Sequence, residues 1–525
     1  MARSLSSELD TVFAMPGLEG IAAPLEEYVA KPDDAVALVG YLAARAAAGS
    51  ANRLDDELSD PRVWGRICEF AAEHGRRLPA APPTFNKLHH MRARIDREGP
   101  LRLDEVLLEM NNAFIEVSAE LARSGALLDS SKVGDLRYPV RSNTLYADGT
   151  WWEPLSKVRQ DTETGELLGV TRSKGELHPD GTWWSRPERL VDSDTGELIE
   201  IPSKLVQGPR TAETLTTAKD GRVLVGVPFV MVGVHGDKPD ERVVLGLRRF
   251  VSPILAGTGG ETPAVDELLA RVIAVTGESA PWLVYDMAFR GENLRKLAQQ
   301  GVIGIAAMPS APVTQDAMIL TEDGPTRYNN DPRKQHLAVG AIRNYAHHVD
   351  GHWCDHALTA VDGALRCHDL DRKALISDPL CPVVELRFEE AGNGKQRLLA
   401  TFEVPCAHES IRVTFDLTGK VEGTSTLMLN RLRPISEYDE AFALVKAMRQ
   451  DVENLNSIMK RVVPLDGQAT SLKPAHFELD VLGSALWINS KFWDIHVAKV
   501  SHSAQKRAVL EVQRAQRGRR NLEAA

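Results

Sequence analysis

Three carboxylates in this 525-residue chain stand where acids can do chemistry as well as hold structure. Asp286, in "LVYDMAFRG", closes an apolar, strand-like run, where an unpaired charge would be costly if fully buried. At the carboxyl end of such a strand it can reach a crevice and hold a metal or take a proton. Asp148, in "NTLYADGTWW", ends another extended run, read over 144–148. Glu453 lies within a helical pattern, "SEYDEAFALVKAMRQDVENLNSIMKRVV". Three acids brought together can hold two divalent metals about 4 Å apart and activate water or a hydroxyl against phosphate. Hard oxygen ligands make Mg2+ the expected ion, with Mn2+ as a substitute. Arg449, four residues before Glu453, and Lys460, seven after it, share its helix face and can grip phosphates beside a cut.

The surrounding pattern supplies elements to position these groups. Residues 1–137 read as helical, with helices over "DDAVALVGYLAARAAAG", "DPRVWGRICEFAAEHG", "TFNKLHHMRARIDREG" and "RLDEVLLEMNNAFIEVSAELARSG" and glycines at their ends. This region is read as a packing, dimerisation or DNA-binding module; Lys87, His89, His90, Arg92 and Arg94 give one segment a basic cast. From 138 the texture changes. Three strands, including "RVLVGVPFVMVGV" and "ERVVLGLRRFV", precede helix, strand, helix, strand through residue 310. That order predicts an α/β fold with a mixed sheet covered by helices. "ADGTWW…TGELL" nearly repeats as "PDGTWW…TGELI", which reads as paired hairpins inserted at 153–210, their tryptophans packing rather than stacking on bases. Residues 311–432 form a β-rich insertion; 433–500 return to the core, and 501–525 are a basic tail.

This order of elements resembles the DDE transposases of bacterial insertion sequences, in the group with a β-rich insertion before the glutamate. The resemblance covers about 140–495 and rests on "YADGT", on "VYDMAF", and on Arg449, Glu453 and Lys460 of a tyrosine–arginine–glutamate–lysine signature. Lys446 stands where that signature has its tyrosine; a lysine there can still touch a phosphate. The resemblance implies a ribonuclease-H-like core, with Asp148, Asp286 and Glu453 as catalytic metal ligands and Arg449, Lys460 and Lys446 as DNA contacts. It also implies double-stranded DNA as substrate, at the element's ends and at the target, and a homodimer that cuts two ends together. Asp180 in the second repeat is the alternative first acid; Asp148 is preferred because "NTLYA" makes the better central strand. A DNA-binding derivative without catalysis, or a metal-dependent nuclease without strand transfer, fits the same pattern.

Net charge of −11 argues mildly against a polyanion partner, although a basic groove can coexist with acidic outer faces. No apolar run reaches the roughly 20 residues needed to cross a bilayer, and "MARSLSSELDTVF" does not read as a signal peptide. Five cysteines, at 68, 354, 367, 381 and 406, suit a reducing cytoplasm. His347, His348, His352, Cys354, His356, Cys367 and His368 crowd one segment, with Cys381 and Cys406 beyond. Zinc accepts such ligands, but the spacing matches no usual finger or ribbon, and the preferred reading is of ordinary turn and core residues.

Overall fold

In the computed structural model of this chain, the described residues are 5–99, 101–152, 227–250, 261–285, 289–306, 308, 339–368, 370 and 378–498 apart from 464–468 and 472. The backbone of short strands within 157–225 and 318–327 is also described. Asp180, Asp286 and the basic tail lie outside the described residues, as do the side chains of Lys446 and Arg449.

The amino-terminal region is helical, as its composition predicts. It includes α1 (Pro32–Ala48), α2 (Phe85–Glu98) and α3 (Arg102–Ser124). Side-chain oxygens of Ser50, Asp60 and Thr84 accept backbone N–H groups in the first turns that follow them, satisfying donors that a helix start leaves open. Gly49 closes α1 at φ 74°, a left-handed conformation that glycine adopts at little cost.

The central sheet has five strands: β1 (Thr144–Trp152), β2 (Val227–His235), β3 (Arg242–Arg249), β4 (Trp282–Val284) and β5 (Ile303–Ile305). Their spatial order is β3-β2-β1-β4-β5. The first three pair antiparallel, whereas β1–β4 and β4–β5 are parallel. Helices α4 (Glu261–Thr276) and α5 (Gly291–Gln299) supply the crossovers around β4. After the insertion come α6 (Glu440–Val462), capped by the Asp439 side chain, and α7 (Pro474–Phe492). The expected succession of three strands, helix, strand, helix, strand is therefore present.

Two boundaries differ from expectation. "RVLVGVPFVMVGV" divides: Val223–Val225 pairs with Leu215–Thr217, and β2 starts at Val227. β1 does not stop at Asp148 but continues to Trp152, paired with β2 throughout. Packing explains the extension, because Trp152 is fully buried and meets Phe229 and Phe477 edge-on at 5.1 and 5.7 Å between ring centroids. The repeat's first tryptophan pair thus belongs to the core sheet, while Trp183–Trp184 forms a short strand in a separate five-stranded sheet.

α7 joins the amino-terminal helices to this sheet. Gly483 admits the backbone of α1 so closely that a Cβ there would lie 2.6 Å from the Leu42 carbonyl. On the outer edge of β3, the Asn489 amide accepts from Val244 N–H and donates to the Val244 carbonyl, each at 2.9 Å. A side chain thereby takes the place of a missing neighbouring strand. Deeper in α7, Asp480 is buried between Arg45 of α1 and Arg92 of α2, at 2.7 and 2.5 Å. Arg92, one of the basic residues noted above, is thus committed to the interior.

Burial raises the Asp480 carboxyl, but Arg92, Arg45 and the Thr470 hydroxyl outweigh that effect and hold it below the usual range. Asp480→Asn should therefore cost about 3–5 kcal/mol at pH 7, because it leaves buried guanidinium charge uncompensated. A lowered folded-state pKa stabilises above the unfolded value and loses its effect as pH falls through the folded one. The wild-type advantage should stay constant above about pH 4 and shrink below it. Urea unfolding at pH 7 and pH 3 checks this; equal penalties at both would contradict it.

Candidate active site on the central strand

Asp148 occupies the middle of β1, opposite Met231 of β2. Alternate residues of a strand face opposite ways, so Asp148 shares a face with Tyr146, Thr150 and Trp152. α6 lies across this face. A Cβ on Gly233, one strand over, would stand 3.0 Å from Leu455 of α6, so glycine sets how closely helix and sheet approach.

Successive residues of α6 engage successive points along β1. Asp451, buried, takes a two-pronged ion pair from Arg141 just before the strand, with Nε–Oδ2 2.8 Å and Nη2–Oδ1 2.6 Å. Asn456 donates from Nδ2 to Oδ2 of Asp148 at 2.7 Å. Lys460 places its ammonium 5.5 Å from the Trp151 ring centroid, within cation–π range. Glu453 is exposed on the helix between Asp451 and Asn456. The structure thus brings the Glu453 helix onto the Asp148 strand and sets Lys460 beside that strand's far end.

The second acid is approached through the neighbouring strand. Tyr146 and Val284 are paired in the parallel β1–β4 ladder. Asp148 and Asp286 each follow their member of that pair by two residues in sequence; Asp286 itself lies outside the described residues. Tyr285, immediately before it, donates its hydroxyl to Glu261 at the start of α4.

Two contributors were not singled out from the sequence. Asn456 follows Glu453 by three residues, a spacing that puts it on the same helix face, yet an asparagine there carries no distinctive signal. Glu261 approaches β1 from the face opposite Asp148: a Cβ on Gly149 would stand 2.4 Å from its carboxyl carbon. Glycine within a strand often marks such a close approach, which gives the "ADGT" glycine a steric reason.

The donor chemistry fits a hard divalent cation. Asp148 supplies carboxylate oxygen, and buried Oδ1 of Asn456 has no hydrogen-bond partner among the described residues. Such an oxygen is costly to leave unsatisfied and suits a hydrated Mg2+. A cavity of about 1190 Å3 lies elsewhere, between α4, α5 and the insertion near Phe388, and none of these groups lines it.

A scan against protein-family models matches none of them, and a search of curated proteins finds no match.

The Asn456–Asp148 contact makes a thermodynamic prediction. A double-mutant cycle through Asn456→Ala and Asp148→Ala should give a coupling of about 1–2 kcal/mol, as expected for a half-exposed hydrogen bond to a charged group. Coupling indistinguishable from zero would mean that α6 does not hold this acid in solution.

Proposed function

We propose that this chain is a DDE-type transposase with a ribonuclease-H-like core, cutting and joining DNA at the ends of an insertion sequence. The observation that carries the reading is the seating of α6 on β1, where Asn456 holds Asp148 and Glu453 and Lys460 occupy neighbouring turns. The strand order β3-β2-β1-β4-β5 supports it as well, with the first acid on the central strand.

In this reading Asp148, Asp286 and Glu453 would hold two Mg2+ ions, replaceable by Mn2+. Two such ions bound there would supply charge neutralisation and Lewis-acid activation of an oxygen nucleophile for phosphodiester cleavage and strand transfer. The protein's own groups orient and grip. Asn456 fixes the Asp148 carboxylate, while the Arg141–Asp451 pair anchors the helix carrying Glu453. Lys460, with Arg449 and Lys446, binds phosphates beside the cut. The partners are double-stranded DNA and a second copy of the chain, one copy for each element end, within the cytoplasm. No covalent protein nucleophile is involved.

The test supplies purified protein with Mg2+ and the DNA that flanks its own gene, then maps products at nucleotide resolution. Cut ends joined to target DNA are expected. Cleavage without joining would make the protein a nuclease, and end-specific binding without cleavage would make it a non-catalytic derivative. Asp286→Asn and Glu453→Gln should each abolish cleavage while leaving the fold intact. Asp148→Asn should do the same and Asp180→Asn should not; the opposite pattern would move the first acid into the hairpin insertion.

Lys460→Ala should weaken binding to end DNA and flatten its salt dependence by about one phosphate contact. An unchanged salt slope would remove Lys460 from the DNA interface.

A further inference from the structure

The β-rich insertion assembles a second group of ligating side chains, remote in sequence from the acids. Its first sheet comprises β6 (Val339–Val349), β7 (His352–Val361) and β8 (Ala364–His368). The second comprises β9 (Val383–Glu390), β10 (Gln396–Val404) and β11 (Ile411–Asp416). His347 on β6 and Cys354 on β7 face each other directly in the antiparallel ladder. Cys406 arrives from the other sheet, just after β10. One imidazole nitrogen and the two sulfurs all lie within 4.8 Å of one another. A tetrahedral zinc, with Zn–S near 2.3 Å and Zn–N near 2.0 Å, needs its ligand atoms roughly 3.5 Å apart, so modest side-chain closure completes the geometry.

The setting of His347 points the same way. Both ring nitrogens of His347 are shielded from solvent and have no hydrogen-bond partner among the described residues. An imidazole without partners is unfavourable unless something else binds it. Its ring stacks on that of His356, centroids 5.2 Å apart and 12° from parallel, while His356 Nδ1 lies 3.1 Å from Cys367 Sγ. These contacts hold the His347 ring in place. Stacking of His352 on His408, at 4.8 Å and 6°, brings the β6–β7 turn against the Cys406 loop.

We propose that His347, Cys354 and Cys406 bind one Zn2+, which staples the two sheets of the insertion together and leaves a fourth position for water or another ligand. Soft thiolates with an imidazole select zinc over magnesium, so this site is chemically separate from the carboxylate site. Its ligands come from two sheets, which explains why their spacing along the chain matches no finger or ribbon.

The test uses the full chain, produced without a histidine tag, and does not involve DNA. Elemental analysis should find one zinc per chain, retained by Cys68→Ser and lost from Cys406→Ser. Wild-type protein stripped with a chelator and titrated with Co2+ should develop thiolate-to-cobalt charge-transfer absorption and tetrahedral d–d bands, saturating at one equivalent. This second measurement keeps the test decisive if Cys406→Ser fails to fold. Absence of both zinc and the cobalt spectrum would overturn the proposal, as would full zinc retention by a folded Cys406→Ser. Only three reactive thiols in the denatured, unreduced protein would also overturn it, by indicating a Cys354–Cys406 disulfide.

Discussion

The close contact between α6 and β1 governs the arrangement of the candidate site. A helix can bring side chains to a sheet at this range only where the sheet is shallow, and Gly233 provides that depression beneath Leu455. Once the helix is seated there, its side chains meet β1 in order, from Asp451 at Arg141 to Asn456 at Asp148 and Lys460 at Trp151. The Arg141–Asp451 and Asp148–Asn456 contacts set the position of the helix along the strand. Glu453 is exposed between the anchors as a consequence. A buried ion pair adds little stability over an apolar contact of similar volume, so the Arg141–Asp451 pair is better understood as setting register than as strengthening the fold.

The rest of the architecture supports that seating. α7 closes the edge of β3 through Asn489 and meets the amino-terminal helices through Asp480 and Gly483. Residues more than 380 positions apart in sequence thus share one buried carboxylate, Arg92 with Asp480 among them. The amino-terminal helices and the returning helices of the core are parts of one packed interior. On the opposite side of the sheet, Glu261 rests against Gly149 and receives the Tyr285 hydroxyl, linking the start of α4 to the residue just before Asp286. Both faces of the central strand are therefore occupied near Asp148 by groups held in place by their neighbours.

Much of this was legible in the sequence because it depends on local patterns. β-branched runs, helix formers and caps specify the order of strands and helices, and helical spacing places Glu453 and Lys460 on one face. The end of β1 was not legible, because "DGTWW" resembles a turn; burial of Trp152 against Phe229 and Phe477 decides otherwise. Asn456 and Glu261 were missed for a related reason. An asparagine in a helix and a glutamate at a helix start are ordinary in sequence, and only the approach of a distant strand gives them a role. The same holds for His347, Cys354 and Cys406, whose proximity comes from the pairing of β6 with β7 and the placement of a second sheet.

The proposed activity requires a divalent metal between β1, the segment that follows β4, and α6. Metal-directed backbone cleavage reports such a metal. The purified protein is given Fe2+ in place of Mg2+, with ascorbate and peroxide, and the resulting peptides are mapped by mass spectrometry. Cuts are expected to cluster around Asp148, around Asp286 and around Glu453, all suppressed by excess Mg2+ and absent in Asp148→Asn. Cuts confined to other segments, or a pattern unchanged by Asp148→Asn, would contradict it.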